Sequence, residues 1–141
     1  MTNKEKRMFN IAREVSYLSD FHGTSVGAVV VDGKRILSTG FNSSKTRPLQ
    51  HRYNIYRHFK DYNTSIPKSH AEVNALSPLI GKEIDWSRVD IYIYREKKNG
   101  ERGCSRPCLG CAHLIKDLGI RNIYFIDEQG RYCKEKILWD F

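Results

Sequence analysis

No stretch of the sequence stays apolar for long enough to cross a membrane, so a spanning helix is excluded on length alone. The opening residues, Met1-Thr2-Asn3-Lys4-Glu5-Lys6-Arg7, lead into an amphipathic pattern and not into an apolar core. No secretory signal is read there, and the cytoplasm is the expected location. Internal repeats and low-complexity segments are also missing, which argues against repeat architectures and disordered arrays. Cysteine is scarce: Cys104, Cys108, Cys111 and Cys133 are the only four in 141 residues. Without a secretory signal, a C-x-x-C pair points to metal binding or redox chemistry and not to a disulfide framework. Acidic residues are the minority charge, 16 against 24 Lys and Arg, for a net charge of +8. Such a balance favours an anionic partner, either a nucleotide phosphate or a nucleic-acid backbone. The plainer alternative is a solvated basic surface.

What is present fits one domain over residues 1–141, long enough to bury a core without covalent staples. With 40% apolar and 28% charged residues, the composition is that of a globular chain. Met8, Ile11, Ala12, Val15 and Leu18 recur at helical spacing over residues 4–21, and His22-Gly23 would end that helix. Residues 26–31 form a β-branched run, and Asp32-Gly33 is a two-residue hairpin signal, with residues 35–39 returning antiparallel. Gly40-Phe41-Asn42 closes the second strand. A long connection over residues 43–69 follows, rich in basic residues and Tyr, with a short helix predicted over 53–62. A helix is predicted over 70–80, with Ser69 as its cap and Pro78 as a distortion near Ser77. Residues 89–94 alternate, with Val89, Ile91 and Ile93 inward and Asp90, Tyr92 and Tyr94 outward. A polar loop over 95–106 precedes a helix that would carry Pro107 in its first turn and end at Gly119. Residues 120–126 and 131–137 read as two further strands, paired as a hairpin by the turn at Asp127-Glu128-Gln129-Gly130; the alternative is a crossover to a parallel strand, for which the spacing leaves little room. The apolar tail over 138–141 could pack on another subunit. The pattern predicts an α/β domain, three layers with a mixed sheet of about five strands flanked by helices.

The chemistry concentrates in two short motifs. His70-Ala71-Glu72 opens one predicted helix, and Pro107-Cys108-Leu109-Gly110-Cys111 opens the next. One imidazole and two thiolates suit zinc and leave a fourth position open, as catalytic zinc sites require. Cys108 and Cys111 lie three apart, so one helical turn points both thiols the same way, and a helix N-terminus favours the thiolate. Glu72 lies two residues from His70, where it can move protons beside a metal. Two alternatives remain. A closed structural site could add Cys104 as a fourth ligand, although this leaves Glu72 without a purpose, and the C-x-x-C could be a redox pair. Cys133 and His113 are read as non-ligands.

In combination the motifs read H-x-E…P-C-x-x-C, and from about residue 25 to 137 the chain resembles the cytidine and deoxycytidylate deaminase superfamily. The resemblance implies a zinc ion held by His70, Cys108 and Cys111, with Glu72 as the catalytic proton carrier. It also implies hydrolytic deamination of a cytosine nucleoside or nucleotide and a homo-oligomer. By the same resemblance Asn42 would contact the substrate sugar, the backbone N–H of Ala71 the pyrimidine carbonyl, and the Ser105 carbonyl the amino group. A local, backbone-stabilising role is the competing reading of Asn42. Lys45 and Arg47, in the long connection with His51, Arg52 and Arg57, are candidates for a phosphate. Together with Tyr53, Tyr56 and Phe59 they could instead form a groove for single-stranded DNA or RNA, the base being cytosine or adenine. A non-catalytic zinc-binding module is the third reading.

Overall fold

The computed structural model describes residues 1–21, 23–45, 47–56 and 69–136. A five-stranded sheet has the order β2-β1-β3-β4-β5. Its strands are β1 (Ser25–Asp32), β2 (Arg35–Phe41), β3 (Val89–Glu96), β4 (Asn122–Ile126) and β5 (Tyr132–Glu135). β1 pairs antiparallel with both β2 and β3, β3 pairs parallel with β4, and β4 pairs antiparallel with β5. The expected five-strand mixed sheet and both hairpins are therefore present. Among the described residues four α-helices flank it: α1 (Asn3–Ser16), α2 (Pro48–Tyr53), α3 (Ala71–Leu76) and α4 (Leu109–Leu118).

The three central strands, β1, β3 and β4, feed two interiors. Ala28, Val30, Ile91, Ile93, Ile123 and Phe125 face α3 and α4. Val29, Val31, Tyr92, Tyr94, Tyr124 and Ile126 face α1, which contributes Met8, Phe9 and Ala12. This corrects the expected outward face of β3: Asp90 (1% exposed), Tyr92 (0%) and Tyr94 (3%) are buried. Period-two alternation marks two faces, and here a helix covers the second one. Tyr92 stacks on Tyr124 with centroids 4.1 Å apart, and Phe9 meets Tyr92 edge-on at 5.3 Å.

Several helix limits differ from the periodicity. α1 stops at Ser16, five residues short of expectation. The N–H groups of Tyr17, Leu18 and Ser19 turn back to carbonyls three residues earlier, which tightens the end and carries the chain towards Asn42. The N-cap of α3 is His70, not Ser69. The Ser69 Oγ instead accepts from Asn74 Nδ2 at 2.9 Å. α3 ends at Leu76, and Ser77–Leu79 continues as a 3-10 turn around Pro78, the distortion that proline imposes. α4 begins at Leu109 with Cys108 as its cap, so Pro107 precedes the helix and does not sit in its first turn. Gly119 ends α4 at φ 84°, a left-handed conformation that glycine adopts freely. In the long connection, α2 begins at Pro48, earlier than the helix expected at 53, and passes into a 3-10 turn at Asn54–Tyr56. The rest of that predicted helix, His22, Arg57, Phe59, the end of the last expected strand at Ile137 and the apolar tail over 138–141 lie outside the described residues.

Gly40 decides how closely α3 sits on β2. A Cβ there would overlap the Ala75 nitrogen and the Ala71 carbonyl oxygen. Only a glycine lets the helix backbone approach the strand this closely. Ser43 and Ser69 pair across the base of the long connection, N–H to carbonyl at 3.0 and 2.9 Å in both directions. The connection therefore leaves and rejoins the fold at one place, immediately before His70.

Candidate metal centre and active site

The parallel pair β3–β4 places the N-termini of α3 and α4 side by side at the carboxyl end of the strands, where open α/β sheets form their crevices. His70 caps α3. Cys108 caps α4, with its Sγ accepting from the Cys111 N–H at 3.5 Å, and Cys111 lies in the first turn. The His70 Nδ1 is 3.5 Å from the Cys108 Sγ and 3.3 Å from the Cys111 Sγ. All three ligand atoms lie within 4.8 Å of one another. Zinc bonds of about 2.3 Å to sulfur and about 2.05 Å to nitrogen, at the tetrahedral angle, put N and S roughly 3.5 Å apart. The triad is thus already spaced for zinc. Cys104 is outside this group among the described residues, and its Sγ faces Glu128 Oε1 at 3.9 Å. The closed four-ligand alternative therefore lacks its fourth member.

The electrostatics suit a cation. The Cys108 thiol is held down at about 3, first by its hydrogen bond with Cys111 and then by His70, against the cost of burial. Cys111 is pushed up, first by Cys108 and then by burial. Ligation by a divalent metal requires the thiolate form, which the surroundings of Cys108 favour. Glu72, in the first turn of α3, is 5% exposed. Burial raises its carboxyl above the usual carboxylate range, with His70 pulling the other way.

Beside the triad is a cavity of about 360 Å³, lined by His70, Glu72 and Cys108 and, among others, by Asn42, Ala71 and Ser105. A family comparison identifies this arrangement: the model of the cytidine and deoxycytidylate deaminase zinc-binding region matches residues 2–127. The chain belongs to this family. Solved structures of two proteins show the same fold. Cytidine deaminase from Burkholderia pseudomallei is 17% identical with a TM-score of 0.64, covering 96% of this chain and 93% of that one. The dCMP deaminase of cyanophage S-TIM5 is 23% identical with a TM-score of 0.62, covering 91% of this chain and 86% of that one. The same phage enzyme in complex with dCMP and dUMP is 21% identical with a TM-score of 0.62 over 91% and 85%. Comparison with curated proteins returned no match.

Within this deaminase-family fold, zinc is the metal, and His70, Cys108 and Cys111 are the group able to hold it. The remaining sequence candidates divide. Asn42 lines the cavity, but its Oδ1 accepts from Val26 N at 2.9 Å and its Nδ2 donates to the Thr24 carbonyl at 2.8 Å, so it also closes local backbone. Ser105 holds the strand ends: its Oγ donates to the Ile93 carbonyl and accepts from Ile126 N, both at 2.7 Å. Lys45 and Arg47 are exposed and do not line the cavity. Arg47 instead caps α2.

Arg95, Arg106 and Gln50 are among the cavity or support residues that escaped the motif reading. Arg95 and Arg106 line the cavity from a segment that looks like plain polar loop. Gln50, 1% exposed on α2, accepts from the His70 N–H at 2.8 Å and donates to Asn54 Oδ1 at 2.8 Å. It joins the long connection to a metal ligand. The one sequence signal for Arg95 was its parity with Ile91 and Ile93 on β3. Gln50 carried none.

Proposed function

We propose that this protein catalyses hydrolytic deamination of a cytosine nucleoside or nucleotide to the uracil product, releasing ammonia. One observation carries the reading: a three-ligand metal group shares a cavity with a buried carboxylate, Glu72, that is not one of the ligands. Zinc, when bound, supplies a Lewis acid that lowers the pKa of a coordinated water from ~15.7 towards ~7. Glu72 would accept that water's proton and pass it to the ring nitrogen as the oxygen adds to the amino-bearing carbon. A second proton transfer through Glu72 would let the amine leave as ammonia when the C–N bond breaks. The raised affinity of a buried carboxyl for protons suits a group that must both take and return one. Asn42, Ala71 and Ser105 are retained as substrate contacts, supported by their place on the cavity wall.

The test is Glu72→Gln assayed for ammonia release from cytidine, deoxycytidine, CMP and dCMP. We expect full zinc content and a fall in kcat of about 10²–10⁴-fold. Retained activity in this variant would overturn the role of Glu72. A wild-type protein that binds zinc and deaminates nothing would favour the non-catalytic module.

A second reading, deamination of a base in single-stranded DNA or RNA, draws on the net charge of +8. It predicts activity that falls steeply with salt as counterions are released. Homo-oligomerisation and a cytoplasmic site are further proposals. The four thiols are unpaired, in keeping with a reducing compartment. Among the described residues no helix is long and apolar enough to cross a membrane.

A further inference from the structure

The two arginines on the cavity wall differ in how their charge is balanced. Arg106 is compensated: its Nη1 is 2.9 Å from Glu135 Oε2, its Nε is 3.9 Å from Glu128 Oε1, and its guanidinium lies 4.4 Å over the Phe125 ring. Arg95 has no carboxylate within 4.0 Å among the described residues. Its Nη1 donates to the Cys104 carbonyl at 3.2 Å, and its Nε is buried with no partner. A buried cationic donor left without an acceptor is uncommon in a folded protein and asks for an explanation.

Its position follows from the strand. Ile91, Ile93 and Arg95 share one face of β3, and the first two fill the interior below α3 and α4. Arg95 is the next residue on that face, past the apolar core, so it emerges at the carboxyl end of the strand onto the cavity. The adjacent Glu96 points the other way and is held by the Tyr17 and Tyr94 hydroxyls and by Arg13. Strand parity thus keeps the neighbouring Glu96 carboxylate off the arginine's face. Gly103 packs against the arginine stem, where a Cβ would sit 3.2 Å from Arg95 Cδ, so the stem is held in place.

We propose that Arg95 is a specificity residue that binds the phosphate of a nucleoside monophosphate whose cytosine reaches Glu72. The proposal rests on the deamination reading above and narrows its substrate to the phosphorylated form. A guanidinium with spare donors matches a phosphate in charge and in its paired-donor geometry. A mononucleotide fits the observations better than a strand. A strand groove needs a row of cations with stacking aromatics, whereas among the described residues this cavity offers one uncompensated arginine and a single Phe, Phe21. Lys45 and Arg47 stand off the cavity wall.

The experiment measures kcat/KM for CMP against cytidine, and dCMP against deoxycytidine, in the zinc-loaded wild type, Arg95→Gln, Arg95→Lys and Lys34→Gln. Calorimetry of UMP and uridine binding runs alongside. We expect the wild type to prefer the nucleotide. We expect Arg95→Gln to cut the nucleotide-to-nucleoside ratio about 10- to 100-fold, mainly through KM. Arg95→Lys, which keeps charge and stem, should recover part of it. Lys34→Gln removes one exposed charge at the β1–β2 turn and should leave the ratio as it is. A wild type indifferent to the phosphate, an equal fall for nucleoside and nucleotide, or an equal shift in Lys34→Gln would overturn the proposal. So would activity confined to oligonucleotides. If neither monomers nor oligonucleotides are deaminated, the deamination reading fails on its own. Preference for UMP over uridine that vanishes in Arg95→Gln would then still support the phosphate site, and its absence would still refute it.

Discussion

On the α1 side of the sheet the interior is large and aromatic, built on Phe9, Tyr92, Tyr94 and Tyr124. On the α3 and α4 side it is small near the ligands, with Ala28, Ala71 and Ala75 packed beside Gly40, and it opens at one end into the cavity. The same strands supply both. The contrast shows how a thin sheet divides its duties. Aromatic stacking fills the far side and anchors the strands, while glycine and alanine on the near side let the backbone of α3 come close enough for His70 to meet two cysteines of α4. Stability and chemistry therefore sit on opposite faces and can be disturbed separately.

Phe9→Ala is the largest single blow to the closed face. Phe9 is 2% exposed and touches the rings of Tyr92, Tyr124 and Tyr132. We expect a loss of about 3–5 kcal/mol. Chemical denaturation gives that number, and zinc content per folded molecule should stay at the wild-type value. A folded variant that cannot hold zinc would mean the two faces are coupled.

Gln50→Leu probes the open face from outside the motifs. It removes the acceptor of the His70 N–H while keeping the buried volume nearly constant. Outer partners of metal ligands contribute roughly 10- to 100-fold in affinity, and a loss of that size is expected in competition with a chelator. Gln50→Glu keeps an acceptor and should restore most of it. If both variants lower the melting temperature equally and neither changes zinc affinity, Gln50 is a packing residue only.

Asp127→Asn is the smallest effect and touches the β4–β5 turn. The Asp127 carboxylate accepts from the N–H groups of Gln129 and Arg131, both at 2.9 Å, and from Arg131 Nε at 3.2 Å. The Arg131 N–H first, then that of Gln129, hold its pKa below the usual value, against partial burial. A depressed pKa means that its stabilisation is present above the unfolded value, about 3.9, and lost as pH falls through the folded one. The gap in urea midpoint between wild type and Asp127→Asn should therefore be constant near neutrality and shrink below about pH 4. A gap independent of pH would show that the charge of Asp127 contributes nothing.

The motifs were legible because metal ligation and proton transfer need particular residue types at particular spacings. Residue type and spacing marked out His70, Glu72, Cys108 and Cys111, and the family resemblance supplied their expected roles. The strands were legible as well, since alternation and the turns at Gly33 and Gly130 are local signals. Boundaries were not, because they depend on what the chain meets next. Helix α1 ends early where its last turn meets β1 at Gly27, and Cys108 rather than Pro107 begins the α4 cap because its sulfur accepts from Cys111. Lys45 and Arg47 were chosen for charge, but charge carries no direction, and neither lines the cavity.

From its sequence alone this protein was determined to have a mixed α/β sheet, a zinc-ligand triad and an acid beside it. Each follows from residues near one another in the chain or from a fixed chemical need. Tertiary structure alone decided the rest: that α1 buries the second face of β3, that Gln50 reaches back to His70, and that Arg95 lies on the cavity while Glu96 is drawn away from it. Those outcomes join residues 20 or more positions apart, or turn on which side of a strand another element lands. Neither distance in space nor the partner of a face is written in local pattern.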